Sequence, residues 1–157
     1  PNMYDNSLRV PTAIRWPGVV KPGSRIDNTI TILDWFPTIC AMADADVPRD
    51  TTVRGRDFTK LLRGKKTRWD DDYYGEYSQH HYVNADLRCY RTPEWKLVRD
   101  FKNEGKDELY DLTNDPDEHT NLINAQEHAA MREKLNKKLI AKLKESRDPV
   151  GRELWEV

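Results

Sequence analysis

Met131, Leu135, Leu139 and Leu143 recur at every fourth position and, joined by Ile140, draw one apolar stripe along a helix near the end of the chain. A helix marked this way must cover another apolar face, which limits the folds open to the chain. The face on offer lies just upstream. From residue 73 the sequence breaks into short β-type runs, "YYGEYS", "ADLRCYRT", "WKLVRDF" and "ELYDL", separated by polar turns. In "WKLVRDF", Trp95 and Leu97 alternate with Lys96, and "KNEGKDE" (102–108) reads as a hairpin loop centred on Gly105. The pattern predicts three or four antiparallel strands packed by one long helix. That helix is expected to start at a capping-box-like Asn124 and Glu127.

Composition decides whether such a layer can be stable. Only 37% of the 157 residues are apolar against 34% charged, so the core is expected to be modest. Five Trp, seven Tyr and three Phe nevertheless argue for a folded chain rather than a disordered one. Lys plus Arg (26) nearly cancels Asp plus Glu (27), which gives no general pull toward nucleic acid. No apolar run approaches the ~20 residues needed to span a bilayer. Cys40 and Cys89 fit neither a disulfide framework nor a zinc ribbon, and Cys40 reads as a small hydrophobe in a helix.

The first part of the chain has a different texture. In "LRVPTAIRW" (8–16), Val10, Thr12, Ile14 and Trp16 share one side of an extended segment, which predicts a strand with Pro11 placing it near a sheet edge. Two Pro-Gly turns close it in "PGVVKPGS" (17–24). Asp34 precedes "WFPTICAMADA" and is expected to cap a helix over about 34–44. Residues 46–72 are polar and breaker-rich, a long crossing loop with a short apolar clasp at Phe58, Leu61 and Leu62.

Chemistry is sparse in these residues. His80 and His81 are adjacent, so on a strand they face opposite sides and do not share a metal. His119 and His128 fall in polar surface, and none of the four histidines has the i, i+4 pairing of a helical zinc site. "DDD" (70–72) and "NDPDE" (114–118) lack the glycine turn and alternating ligands of a calcium loop. There is no glycine-rich phosphate loop and no Gly-x-Ser-x-Gly elbow. No catalytic constellation is visible.

The order of the motifs, however, resembles a family. "MYDNSLRVPTAIRWPGVVKPGSRID" is similar to a Tyr-Glu-x-x-x-Arg-x-Pro pattern followed by a Trp-Pro-Gly turn, with Asp5 where the family commonly has Glu. "LDWFPTICAMADADVP" resembles the Asp-x-x-Pro-Thr helix that follows. "VRGRDFTKLLRGK" is similar to the Gly-x-(Ser/Asp)-(Leu/Phe)-x-x-Leu-Leu-x-Gly clasp. "YRTPEWKLVRD" and "ELYDLTNDPDEHTNL" match an Arg-Thr-x-x-(Tyr/Trp)-Lys-Leu strand and a Glu-Leu-Tyr-Asp-Leu signature ending in Asn-Leu. In that last signature Leu109 and Leu112 are expected to point inward while Asp111, Asn114, Asp115-Pro116 and Asn121-Leu122 build a structural clamp. All five resemble, in this order, the C-terminal part of sulfatases of the alkaline phosphatase superfamily, from Asn2 to about residue 145.

The resemblance implies an α/β protein, α+β in the part seen here. Residues 1–45 would be the last strand and helix of the catalytic domain, 46–72 a connecting loop, and 73–157 a small subdomain of antiparallel sheet and helix. It also implies a parent enzyme that hydrolyses sulfate esters with a formylglycine nucleophile and a calcium ion. "CAMAD" and "CYRTP" lack the Pro/Ala-x-Arg that formylglycine needs, so nucleophile and metal ligands are expected before Pro1 and this chain alone is expected to be inactive. Within the chain the segment 76–88, with His80, His81 and Arg88, is the expected wall of the substrate pocket, suited to sulfated or carboxylated sugars. The implied partners are the N-terminal catalytic portion and a sulfated small molecule or glycan, with no nucleic acid and no membrane. A periplasmic or extracellular parent is implied too. Rival expectations are a related phosphoesterase or phosphonate hydrolase, and a non-catalytic glycan- or protein-binding module that dimerises through an exposed strand 8–16.

Overall fold

In the computed structural model, which describes residues 1–154, the helices are α1 (Asp5–Leu8), α2 (Trp35–Met42), α3 (Thr59–Leu62) and α4 (Ala129–Ser146). The strands are β1 (Tyr73–His80), β2 (Asn84–Arg91), β3 (Trp95–Asp100) and β4 (Glu108–Asp111). Residues 1–10 and the chain from Asp72 onward form one compact unit; Pro11–Asp71 forms another.

The first unit is the expected sheet and helix. Its four strands pair antiparallel in the order β1-β2-β3-β4, each beside its neighbour in sequence. Gly105 sits at φ 72 in the β3–β4 loop, a left-handed backbone that glycine adopts without steric cost. The α4 stripe closes one face of the sheet. Leu135, Leu139 and Leu143 bury against Tyr90, Leu97 and Leu109, with Met131 and Trp95 packed alongside. Burying each such leucine is worth ~1.5–3 kcal/mol, so the stripe supplies much of this unit's stability. The helix stops where Arg147 turns left-handed at φ 55 and Asp148 N–H donates to the Leu143 carbonyl at 2.9 Å.

The other face is covered by the first residues of the chain. Met3 and Leu8 pack on Ala85, Leu87, Cys89 and Val98. Alternation along β2 and β3 therefore serves two cores: Tyr90 and Leu97 face α4, while Cys89 and Val98 face Met3.

Three local expectations change. Among the described residues no strand forms over 8–16: α1 coils the chain at Asp5–Leu8, and residues 9–16 lie outside any ladder. Pro11 has no N–H to give to a ladder, and Val10 beside it is 78% exposed. The edge on which strand exchange was expected is thus absent there; the sheet edges are β1 and β4. The long helix begins after a 3-10 turn at Gln126–His128, with His128 rather than Asn124 at its boundary. Leu122 N–H is tied to the Leu109 carbonyl of β4 and Ala125 N–H to the Leu122 carbonyl, so residues 122–125 are held in a turn before the helix can start. Finally, the Asp34 carboxylate does not cap α2. Its Oδ2 accepts from Thr31 N–H and Thr31 Oγ1, and its Oδ1 accepts from Arg56 N–H at 2.7 Å.

Through that last bond Asp34 organises the second unit. Thr38 Oγ1 donates to the Asp34 carbonyl and accepts from Phe58 N–H, which draws the 55–58 stretch onto α2. Phe58 then packs edge-on to Trp35 and, with Leu62, is buried as the expected clasp. Gly55 lies so close to the preceding turn that a β-carbon there would fall 1.9 Å from the Leu33 carbonyl oxygen. The glycine of this motif is therefore a packing requirement. Gly55→Ala is expected to destabilise the second unit by about 1–3 kcal/mol or more; a thermal melt followed by tryptophan fluorescence that matches the parent chain would refute this.

Candidate functional site

The expected pocket wall, 76–88, is a β-hairpin. Tyr73 to His80 pair in register with Arg91 to Asn84, and the turn between them is His81, Tyr82 and Val83. The tip is exposed and apolar: Tyr82 is 90% exposed, Val83 is exposed beside it, and the His81 and Tyr82 rings lie 4.3 Å apart between centroids. His80 Nε2 sits 2.8 Å from Asp86 Oδ1 across the hairpin, while 57% of its side chain stays accessible. Burial on its own would raise the Asp86 carboxyl, but hydrogen bonds from Ser78 and His80 outweigh it and hold it below the ordinary value. The result is an imidazole of fixed orientation at an exposed rim, whose other nitrogen, Nδ1, donates to an anionic group in the imidazolium form.

Arg88 is placed differently. It is buried, and its Nε and Nη2 both bind the Asp148 carboxylate beyond the end of α4. Its Nη1 donates to the Leu87 carbonyl and to Ser78 Oγ. Asp148 also accepts from Tyr74 O–H and Val150 N–H. The Arg88 guanidinium thus ties β2 to the C-terminal end of α4 and offers no donor at the hairpin surface. Of the three expected residues, His80 and His81 stand at the rim and Arg88 lies beneath it.

The most concentrated charge lies on the opposite face of the sheet, where alternation alone did not place it. Lys96 is fully buried. Its ammonium donates to Glu118 Oε1 at 2.6 Å and to the Met3 carbonyl at 3.0 Å, and it lies 2.5 Å from Asp5 Oδ1. All three of its protons have acceptors. Asp5 is gripped in turn by Arg91, with Nε to Oδ1 at 3.0 Å and Nη2 to Oδ2 at 2.8 Å, and its backbone N–H donates to Glu118 Oε2 at 2.6 Å. Two cations and two anions cancel formally, which is the condition for burying them at all. Burial would raise the Asp5 carboxyl, yet the hydrogen bonds from Arg91 and Lys96 prevail and hold it low.

Glu118 reaches this cluster because the 111–122 clamp forms as expected. Leu109 and Leu112 are buried; Asp115 accepts from His119 and Thr120 N–H, and Asn121 Oδ1 accepts from Leu109 and Ile123 N–H. The turn drives Glu118 into the left-handed region at φ 58, an unfavourable conformation for a glutamate that its two partners hold in place. A signal for this cluster was present in the sequence: Asp5, Arg91, Lys96 and Glu118 all fall inside three of the five motifs that carry the family resemblance.

Donors for an active centre of the implied kind do not assemble here. Among the described residues no group of three or more His, Cys, Asp or Glu side chains is placed to hold a metal ion. Cys89 is buried and burial pushes its thiol up to about 12, which keeps it an inert part of the core. No helix of the described residues is long and apolar enough to cross a membrane.

This arrangement has known counterparts. The family described as "N-sulphoglucosamine sulphohydrolase, C-terminal" matches residues 2–145, and the chain belongs to it. An ulvan-active sulfatase of Formosa agariphila is 30% identical over 92% of this chain and 34% of its own length. A Delta 4,5-hexuronate-2-O-sulfatase of Bacteroides thetaiotaomicron is 31% identical over 77% of this chain and 25% of its own. The crystal structure of a putative sulfatase from Bacteroides thetaiotaomicron superimposes with a TM-score of 0.74 at 27% identity, covering 84% of this chain and 29% of that one. The chain thus spans about a third or less of the length of these relatives.

Two outcomes test the charge cluster. Lys96→Met leaves Asp5 and Glu118 buried without their shared cation and is expected to cost about 3–5 kcal/mol in urea denaturation; a loss under 1 kcal/mol would contradict the role given to Lys96. Acid should act through Asp5 of this cluster and through Asp148 of the Arg88 pair. Asp5 and Asp148 both have carboxyls held below the ordinary value of 3.8 in the fold. For Asp148 burial opposes the shift, and the Arg88, Val150 and Tyr74 hydrogen bonds overcome it. The unfolded chain therefore binds more protons near that value, so their stabilisation is complete above about pH 5 and is lost as pH falls through the folded values. Asp5→Asn is expected to be less stable at pH 7 and to show a flatter decline in stability between pH 5 and 3.

Proposed function

We propose that this chain is the C-terminal portion of a sulfatase that hydrolyses sulfate esters of sugars, and that it contributes one wall of the substrate pocket rather than the reacting groups. The observation that carries the reading is the family match along residues 2–145, supported by relatives whose names specify a hexuronate sulfatase and an ulvan-active sulfatase. In this reading 1–45 closes the catalytic α/β domain, 46–72 connects, and 73–157 is the small subdomain; residues 1–10 join the subdomain's sheet by packing. The catalytic portion upstream is the partner, and the longer protein works in the periplasm or outside the cell.

His80 and His81 are the residues of this chain assigned to substrate. Asp86 accepts the Nε2–H of His80 and orients the ring, and the imidazolium so held donates its Nδ1–H to a sulfate or carboxylate oxygen. Arg88 acts one step removed, as a positioning residue that fixes β2 under the hairpin through Asp148. Calcium and the formylglycine nucleophile belong to the longer protein, and this chain's residues take no part in holding either.

Assays of the longer protein and of the 157-residue chain on an aryl sulfate and on a sulfated disaccharide separate the possibilities. Turnover by the longer protein alone is expected, with His80→Ala/His81→Ala raising KM for the disaccharide several-fold at little change in kcat. Robust turnover by the 157-residue chain would overturn the division of labour. A longer protein that prefers a phosphonate monoester to both sulfates would make it a phosphonate hydrolase instead.

A further inference from the structure

The outer side of α4 carries a charge pattern that the sulfatase reading does not use. Between Ala129 and Ser146 the helix holds Arg132, Lys134, Lys137, Lys138, Lys142 and Lys144 against only Glu133 and Glu145, in a chain whose net charge is −1. Lys134, Lys138 and Lys142 stand at i, i+4 and i+8, a column about 12 Å long on one side of the helix. Like charges at that spacing work against an isolated helix, so the column gives nothing to folding. Lys142 is answered by Asp72 at 3.8 Å and Glu145 at 3.3 Å. Lys134 and Lys138 are exposed, and among the described residues no carboxylate lies within ion-pair distance of either.

These two lysines also border a cavity. About 250 Å³ of space opens between α4 and the sheet, lined by Tyr90, Thr92, Glu94, Trp95, Lys134 and Lys138. Trp95 is only half-buried, with its ring 5.2 Å from that of His128 between centroids. Glu94 accepts from Thr92 Oγ1 at the rim. The cavity is below the roughly 300–1,000 Å³ of pockets that enclose a drug-sized ligand, so it suits one ring of a longer chain rather than a whole small molecule.

We infer that the α4–β3 crevice is a binding surface for a linear sulfated oligosaccharide, with one sugar ring seated against Trp95 and its sulfates on Lys134 and Lys138. The inference rests on the reading that the longer protein acts on sulfated sugars. An aromatic ring takes the apolar face of a sugar, the Glu94 carboxylate and Thr92 hydroxyl take its hydroxyls, and the ammonium groups take sulfate without needing a fixed geometry. A nucleic acid is disfavoured by the same set: Glu94 stands at the rim, and the near-neutral chain lacks the broad basic surface that phosphate binding requires. The surface would hold a polymer on the enzyme while single residues are processed, raising the local concentration of sulfate esters.

Titrating the 157-residue chain with a heparin-derived hexasaccharide, followed by amide NMR shifts, tests this directly. Expected shifts are confined to residues 92–95 and 131–138. Binding should weaken at least ten-fold with Lys134→Ala/Lys138→Ala, fall as salt rises, and vanish for the desulfated hexasaccharide. Both lysines are exposed, so an unchanged thermal melt certifies that the variant is folded. Shifts elsewhere, equal binding by the variant, or equal affinity for a single-stranded oligonucleotide of the same charge would each overturn the inference. Turnover of an aryl sulfate by the longer protein should be untouched by the double substitution. If that turnover is missing while the hexasaccharide still binds at α4, the sulfatase reading falls and the surface stands; if turnover is present and the lysines do not affect binding, the surface falls alone.

Discussion

A fully buried ammonium decides how the sheet unit is assembled. Lys96 lies on the side of β3 away from α4, where a β-strand residue would ordinarily contribute apolar surface. A lysine there is tolerable only if its charge is met within hydrogen-bond distance on every side. Two separate stretches meet that demand, Met3 and Asp5 at the start of the chain and Glu118 from the clamp after β4, while Arg91 in turn pairs with Asp5. Neither stretch can leave without stranding a charge. The N-terminal residues cover the sheet, and the clamp takes up a left-handed glutamate, for the same reason.

Periodicity made the other face of the sheet readable from residues alone. Four apolar positions at helical spacing, and strands with alternating side chains, specify a helix on a sheet because few other arrangements bury both. The clamp was equally readable, since Asp, Asn and Pro at fixed offsets satisfy turn backbone locally. Features that failed to show in the pattern depend on partners distant in sequence. The 8–16 segment has strand composition, but a ladder needs a neighbour and composition does not supply one. Asn124 followed by Glu127 has the form of a cap, yet the tether of Leu122 to β4 postpones the helix. Asp34 looks like a cap for the helix it precedes and serves instead to collect Thr31 and Arg56.

Charged side chains posed the same difficulty in a sharper form. An arginine near two histidines suggests anion recognition, and nothing in that stretch reveals that Asp148, sixty residues on, pairs bidentately with Arg88 while Leu87 and Ser78 take its other donors. Lys96 reads as the polar side of an alternating strand until Glu118 and Asp5 are brought against it. Whether a charge is free or committed is a tertiary property. In this chain Arg88 and Lys96 are committed, while among the described residues Lys134 and Lys138, in an unremarkable helix, have no ion-pair partner.

That division bears on what family membership can convey. The matched motifs contain Asp5, Gly55, Phe58, Arg91, Lys96, Leu109, Asn121 and Glu118, each of which the structure uses for packing, close approach or the buried ionic cluster. A pattern made of such residues transmits the fold reliably because replacing any one of them leaves a cavity, a clash or an unpaired charge. It transmits little about substrate, since residues that meet a ligand are free of those penalties and can vary without harming the fold. In the proposed reading, discrimination among sulfated compounds would fall to exposed positions outside the pattern. Among the described residues, the hairpin rim at His80–Val83 and the exposed Lys134 and Lys138 lie outside the quoted motifs and present side chains to solvent.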